Sequence, residues 1–359
     1  MTTTIWQTHE YIRLSAGFVE EMMRYRRRIF IEKLALQLAA GACLACVFFL
    51  VAPRCVGADP LAGIIFSLGR NWQRVALAVG SLWALSALAG VGLAFVRPQG
   101  AMLVPLAAMS GLCLRSASLR PWLWEYGEHL QHLYMSMVFE VLAGAMVVFV
   151  AGCILDGARR WATDNGWSPL WQEPFEGEEA DGVNITHVGP DHQFLGLFAG
   201  IGQTIRGLTG RGNATEAKQA RSTVIGLVLS VAVGLVLTVI LLKSPLRGQV
   251  VFAVFAAFLL ATWIVQYVSP MRAMAAILLS PILGGLVFYA LASFSLRGVT
   301  GPQSWLSVKL YAQPLPIDWL LAGTAGAMVG AWVSHRMIET SYMEKVVEDG
   351  QDTKESINE

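Results

Sequence analysis

Charge is scarce in this chain. Only 14% of its 359 residues are charged, against roughly 25% in an ordinary soluble domain. The deficit sits in long uncharged runs of about 20 residues, the length a helix needs to cross a bilayer core of about 30 Å. With a mean hydropathy of +0.53, the composition excludes a soluble domain and points to a polytopic membrane protein. A net charge of +1 and no sustained basic groove leave no reason to expect nucleic acid. Cysteine forms no disulfide framework. Of Cys43, Cys46, Cys55, Cys113 and Cys153, four fall inside apolar runs, where small-residue packing is the ordinary role. Catalytic constellations are absent as well. There is no Ser/His/Asp set, lipid-phosphate motif or haem-attachment motif, and the glycine-rich stretch from Gly196 to Gly212 lacks the Gly-Lys-Ser/Thr ending of a phosphate loop. Neither enzymatic activity nor a cofactor is expected. No cleavable signal is visible, because the first apolar run begins near Leu34, behind an arginine cluster.

What the chain does have is apolar spans. Eight are expected, at about 34–52, 75–96, 100–119, 135–155, 223–242, 249–268, 271–293 and 316–334. The third carries Pro105 and Arg115 and reads either as a span or as a re-entrant segment. Ahead of them, residues 1–33 contain an amphipathic helix (8–33). There Ile12, Phe18, Val19 and Met22 alternate with Glu20, Glu21, Arg24 and Arg26, before Arg26-Arg27-Arg28. That pattern suits either a helix lying on the membrane surface or a solvated helix with a basic anchor.

Most lysines and arginines fall on one side if the N-terminus is inside: in 1–33, in the loop at 156–222 and in the tail at 337–359. The positive-inside bias then places both termini and the central loop in the cytoplasm. The expected location is a bacterial cytoplasmic (inner) membrane, crossed many times. That orientation also makes the Asn184-Ile185-Thr186 and Asn213-Ala214-Thr215 glycosylation patterns meaningless. The central loop reads as a mostly irregular linker with a short helix about 192–209, and the tail as acidic and disordered.

The spans look duplicated. Ala143-Gly144-Ala145-Met146-Val147 returns as Ala325-Gly326-Ala327-Met328-Val329, and Trp122-Leu123 returns as Trp305-Leu306. Val96, Pro98, Ala101 and Met102 return as Val268, Pro270, Ala273 and Met274. The order is kept. The expected architecture is therefore an all-α integral membrane protein of about eight transmembrane helices in two tandem four-helix repeats. The units occupy 34–155 and 223–336 and share one orientation. Gly226, Ser230 and Gly234 in one helix, and Ala322, Gly326 and Gly330 in another, form small-residue stripes suited to helix packing.

Polar residues near the membrane concentrate before and within the fourth span. Glu125, His129, His132 and Ser136 fall at helical spacing, and Glu140 continues the stripe into the bilayer. Carboxylate and imidazole in line can relay protons, and His129 and His132 are candidate ligands for a divalent metal. Glu140 stands out, since an intramembrane carboxylate is expensive. The competing reading is a wet interfacial helix among Trp122, Trp124, Tyr126 and Tyr134. The pattern is not the His-Glu-x-x-His of zinc proteases. In the second unit Ala322 stands where Glu140 maps. Cys43-x-x-Cys46 and the loop residues His187, Asp191 and His192 are weaker candidates, better read as packing and as solvated side chains. Asp318, after Pro314 and Pro316, suits a carboxylate at a helix N-terminus.

Two functions fit these observations. The first is a transporter, or the membrane subunit of a transport system, with its path between the two units. The second is a non-enzymatic scaffold or assembly factor that docks a protein partner at the cytoplasmic face. The lipid bilayer is a partner in both.

Overall fold

The computed structural model describes residues 37–55, 61–65, 110–164, 214–269, 274–299 and 304–334, with a few single positions besides. The expected span at 75–96, the N-terminal helix, most of the central loop and the acidic tail lie outside the described residues. So do His187, Asp191, His192, the Asn184-Ile185-Thr186 pattern and Asn213 of the second.

The described chain is helical throughout, with no strand and one isolated parallel bridge, between Ala62 and Ser118. The helices are α1 (37–55), α2 (110–115), α3 (Arg120–Glu125), α4 (Leu130–Asp164), α5 (Ala214–Leu241), α6 (Arg247–Val268), α7 (Met274–Ser295) and α8 (316–334). Three segments among the described residues are long and apolar enough to cross a membrane: Ala220–Leu241, Arg247–Val268 and Ala276–Ser295. Phe139, Met146, Val228, Val236, Phe252 and Phe294 are each more than half exposed. In water such an apolar surface would be a liability; against lipid tails it is the ordinary outer face.

Helices α4 and α5 run past the expected span edges. Leu130–Asp164 is 35 residues, about 52 Å at 1.5 Å per residue, which exceeds a bilayer core. Residues 156–164 and 214–222, expected in the irregular loop, therefore belong to helices. Their sequences explain it: 156–164 hold no proline, and 214–222 read Ala-Thr-Glu-Ala-Lys-Gln-Ala-Arg-Ser, mostly good helix formers.

Helix α7 is the centre. It packs against α4, α5 and α8, while α6 packs against α5 and α8. Some 61% of its apolar window is buried, against 22% for α5. The small-residue stripes make these contacts. Gly226 lies against Met271 and the carbonyl of Ser269, Ser230 meets Thr262, and Gly234 lies under the Phe258 ring. In α8, Gly326 and Gly330 lie against the backbone carbonyls of Phe255 and Leu259 in α6. Because lipid tails are as apolar as leucine, such backbone approach is what gains packing energy.

Two local irregularities shape the centre. Pro281 sits inside α7 and has no N–H for the carbonyl of Ile277, four residues back. The Ser280 hydroxyl donates to that carbonyl instead, at 2.9 Å, so the apolar interior holds no orphan there. Opposite, α8 contains a π-turn, Asp318–Gly323, and Gly323 lies against Pro281. Trp319, fully buried in that turn, meets Phe258 and Phe288 edge to face, at 6.1 and 5.6 Å. Gly285 makes room for its indole.

Candidate functional site

The Glu/His stripe does not lie on one helix. Helix α3 ends at Glu125 and the chain turns through Tyr126–Glu128. The Tyr126 N–H bonds back to Trp122 at 2.8 Å and the His129 N–H to Tyr126 at 2.7 Å, so α4 starts at Leu130. Gly127 and the close of the Arg-Pro-Trp-Leu-Trp-Glu helix break the spacing that suggested a continuous face. Glu125, Glu128, His129 and His132 are exposed, Ser136 is half-buried, and Glu140 is buried. His129, His132, Glu128, Met135, Leu296 and Val299 line an open cavity of about 390 Å³ between the start of α4 and the end of α7. Among the described residues no group of three or more His, Cys, Asp or Glu is placed to hold a metal ion. In α1, Cys43 is half-buried against the core and Cys46 is exposed, both as free thiols.

A second polar centre pairs a buried carboxylate with a half-buried guanidinium. Asp318, with 0% of its side chain exposed, faces Arg247, the first residue of α6. The guanidinium grips the carboxylate with both terminal nitrogens, at 2.5 Å each. Asp318 also accepts the Leu315 N–H at 2.7 Å, which fulfils its expected role at a helix N-terminus, and the Cys113 thiol at 3.3 Å. Arg247 spends its remaining donors on the end of α2: Nε to the Ser116 carbonyl at 2.9 Å, and a terminal nitrogen to the Cys113 carbonyl at 3.0 Å. The charge pair thereby fastens a segment of the first half (113–116) to two helices of the second. Such bidentate, charge-assisted geometry is the strong form of the interaction. Removing one partner leaves a buried charge unpaired.

Aromatic hydroxyls extend the centre to α4. Tyr289 in α7 and Tyr134 in α4 are fully buried, with rings 6.1 Å apart. Tyr289 donates to the Pro314 carbonyl at 2.6 Å and Tyr134 to the Ala312 carbonyl at 3.0 Å. Tyr289 lies within electrostatic reach of Asp318, Tyr134 and Glu140. Of the residues singled out from sequence, the structure buries Glu140 and Asp318 and leaves the two histidines and Glu125 at the surface. Arg247, Cys113, Ser116, Tyr134 and Tyr289 were not anticipated. One signal was available: Asp318 is the single acidic residue between Glu216 and Glu339.

The duplicated pentapeptide occupies two different settings. Gly144 in α4 faces the Leu320 side chain of α8, whereas Gly326 in α8 faces the α6 backbone. Ala322, three residues before the second pentapeptide, is buried. The chain matches no protein-family model, no curated protein and no solved structure. The fold and site define a class, an α-helical protein with membrane-length apolar helices and an interior charge pair.

Proposed function

We propose that the chain is a membrane transport protein, or the membrane subunit of a transport system, with its path along the contact of α4 with α7 and α8. One observation carries this reading: ionisable and hydroxyl side chains from both halves converge in the interior. Glu140 and Tyr134 come from the first half, and Tyr289, Asp318 and Arg247 from the second. Buried ionisable groups in a membrane interior are expensive and mark solute or proton pathways. A scaffold that only docks a partner has no use for them. In this reading Glu140 carries a proton or a cationic group, and Tyr134 and Tyr289 lie in the same interior. His129 and His132, beside the open cavity, are the entrance.

The test uses the full chain in proteoliposomes loaded with a pH-sensitive dye under an imposed membrane potential. Proton movement is followed with the protein alone and with amino acids, organic acids, sugars or metal cations added in turn. The reading expects flux above empty vesicles in at least one condition, reduced about tenfold or more by Glu140→Gln. Flux in no condition, or flux indifferent to Glu140→Gln, overturns it. A protein partner that co-purifies and is lost on deleting 337–359 would then favour the scaffold.

A further inference from the structure

We propose that Arg247 and Asp318 form a latch that closes one end of the interior path, with residues 61–65 as the cap it holds down. This rests on the transport reading for its purpose but not for its geometry. The same short stretch, 113–118, carries both fastenings. On one side Ser116 and Cys113 offer their carbonyls to Arg247. On the other, the Ser116 hydroxyl accepts the Ile64 N–H at 2.9 Å, and the Ser118 carbonyl accepts the Gly63 N–H at 2.8 Å. Trp122 donates its indole N–H to the Gly63 carbonyl at 2.7 Å, and Gly63 lies against Leu315, three residues before Asp318. Ile64 and Ile65 are buried under this arrangement. The cap, α2, α6 and α8 are therefore tied at one node, and the node is the charge pair.

The groups facing the pair explain why it holds and what releases it. Asp318 is met by Arg247 from α6, Cys113 from α2 and, at electrostatic range, Tyr289 from α7. Arg247 is the only cation among them. While both charges stand, parting them strands each in a medium of low dielectric, so α6 and α8 stay together. With an uncharged amide in place of the carboxylate, that penalty on separation largely disappears. Asp318 is also the first residue of the α8 π-turn, a rare local form found mostly at functional sites. Releasing Asp318 lets that turn rearrange and the cap lift.

Cys113, 2% exposed within the node, reports the state of the latch. The chain is prepared with Cys43, Cys46, Cys55 and Cys153 changed to serine and placed in proteoliposomes. Its reaction with a membrane-impermeant maleimide is timed in the otherwise native chain and with Asp318→Asn. A second series replaces Cys113 by serine and carries Ser230→Cys instead, at a fully buried position between α5 and α6, to report general loosening. The latch predicts labelling of Cys113 faster by roughly tenfold or more with Asp318→Asn, and no change at the Ser230→Cys position. Unchanged labelling of Cys113 overturns the proposal. Equal acceleration at both positions also overturns it, because the pair would then merely hold the fold together. Labelling does not depend on flux, so an opening latch without flux removes the transport reading alone, and flux with a silent Cys113 removes the latch alone.

Discussion

Two polar regions of the molecule sit in opposite environments. Asp318 is fully buried and Arg247 half-buried, and the pair is bidentate and hydrogen-bonded on most donors and acceptors. Glu125, Glu128, His129 and His132 are exposed, spread over a helix end, a turn and a helix start. Charge in the open costs little and tells little. A charge kept in an apolar interior persists only where its partners are supplied, so the interior pair is the more informative feature about function.

The comparison breaks most sharply under single substitutions. Asp318→Ala leaves the half-buried Arg247 unpaired and removes three hydrogen-bonding partners from the buried carboxylate position, and is expected to lower stability by about 2–4 kcal/mol, read as the melting transition in detergent. The paired replacement Arg247→Leu with Asp318→Leu is expected to restore much of that loss, since no charge is then stranded. Gly326→Ala pushes a methyl group into the Phe255 carbonyl, a backbone atom that cannot step aside, and is expected to cost about 1–3 kcal/mol. Gly144→Ala meets only the tip of Leu320 and is expected to cost less than Gly326→Ala in the same assay, which separates the two copies of the pentapeptide. Ser280→Ala uncovers the Ile277 carbonyl beside Pro281 and is expected to cost about 1 kcal/mol. His129→Ala and His132→Ala should stay within about 0.5 kcal/mol, as exposed sites do. A melting shift there as large as that of Asp318→Ala would erase the distinction.

Much of the frame was legible from residue order. Apolar length and small-residue spacing located α5, α6, α7 and α8, and the stripe of Gly226, Ser230 and Gly234 faces α6 as its spacing implied. Helix ends were less legible, because propensity carries α4 and α5 beyond the apolar runs that mark a bilayer. The site was half legible. Glu140 is buried, as a carboxylate inside a span must be noticed to be. The line from Glu125 to His132 failed at Gly127, since spacing counts residues and cannot see a turn. Asp318 read as a carboxylate at a helix N-terminus, and its cationic partner was not foreseen. Lys243, Arg247, Arg297 and Lys309 were all available on the same expected side of the membrane, and only the packing of α6 on α8 selects Arg247. Nothing in Cys113 or Ser116 signalled their part, because their carbonyls meet Arg247 as any residue's could and their side-chain partners, Asp318 and Ile64, lie far away in sequence.

The most direct test compares both regions in one flux experiment, with dye-loaded proteoliposomes carrying the native chain, Glu140→Gln, Asp318→Asn or the double His129→Ala, His132→Ala variant. The interior account predicts that Glu140→Gln abolishes flux and Asp318→Asn changes it strongly, while the histidine pair leaves a measurable rate. Loss of flux in the histidine variant, with Glu140→Gln and Asp318→Asn indistinguishable from the native chain, would contradict it.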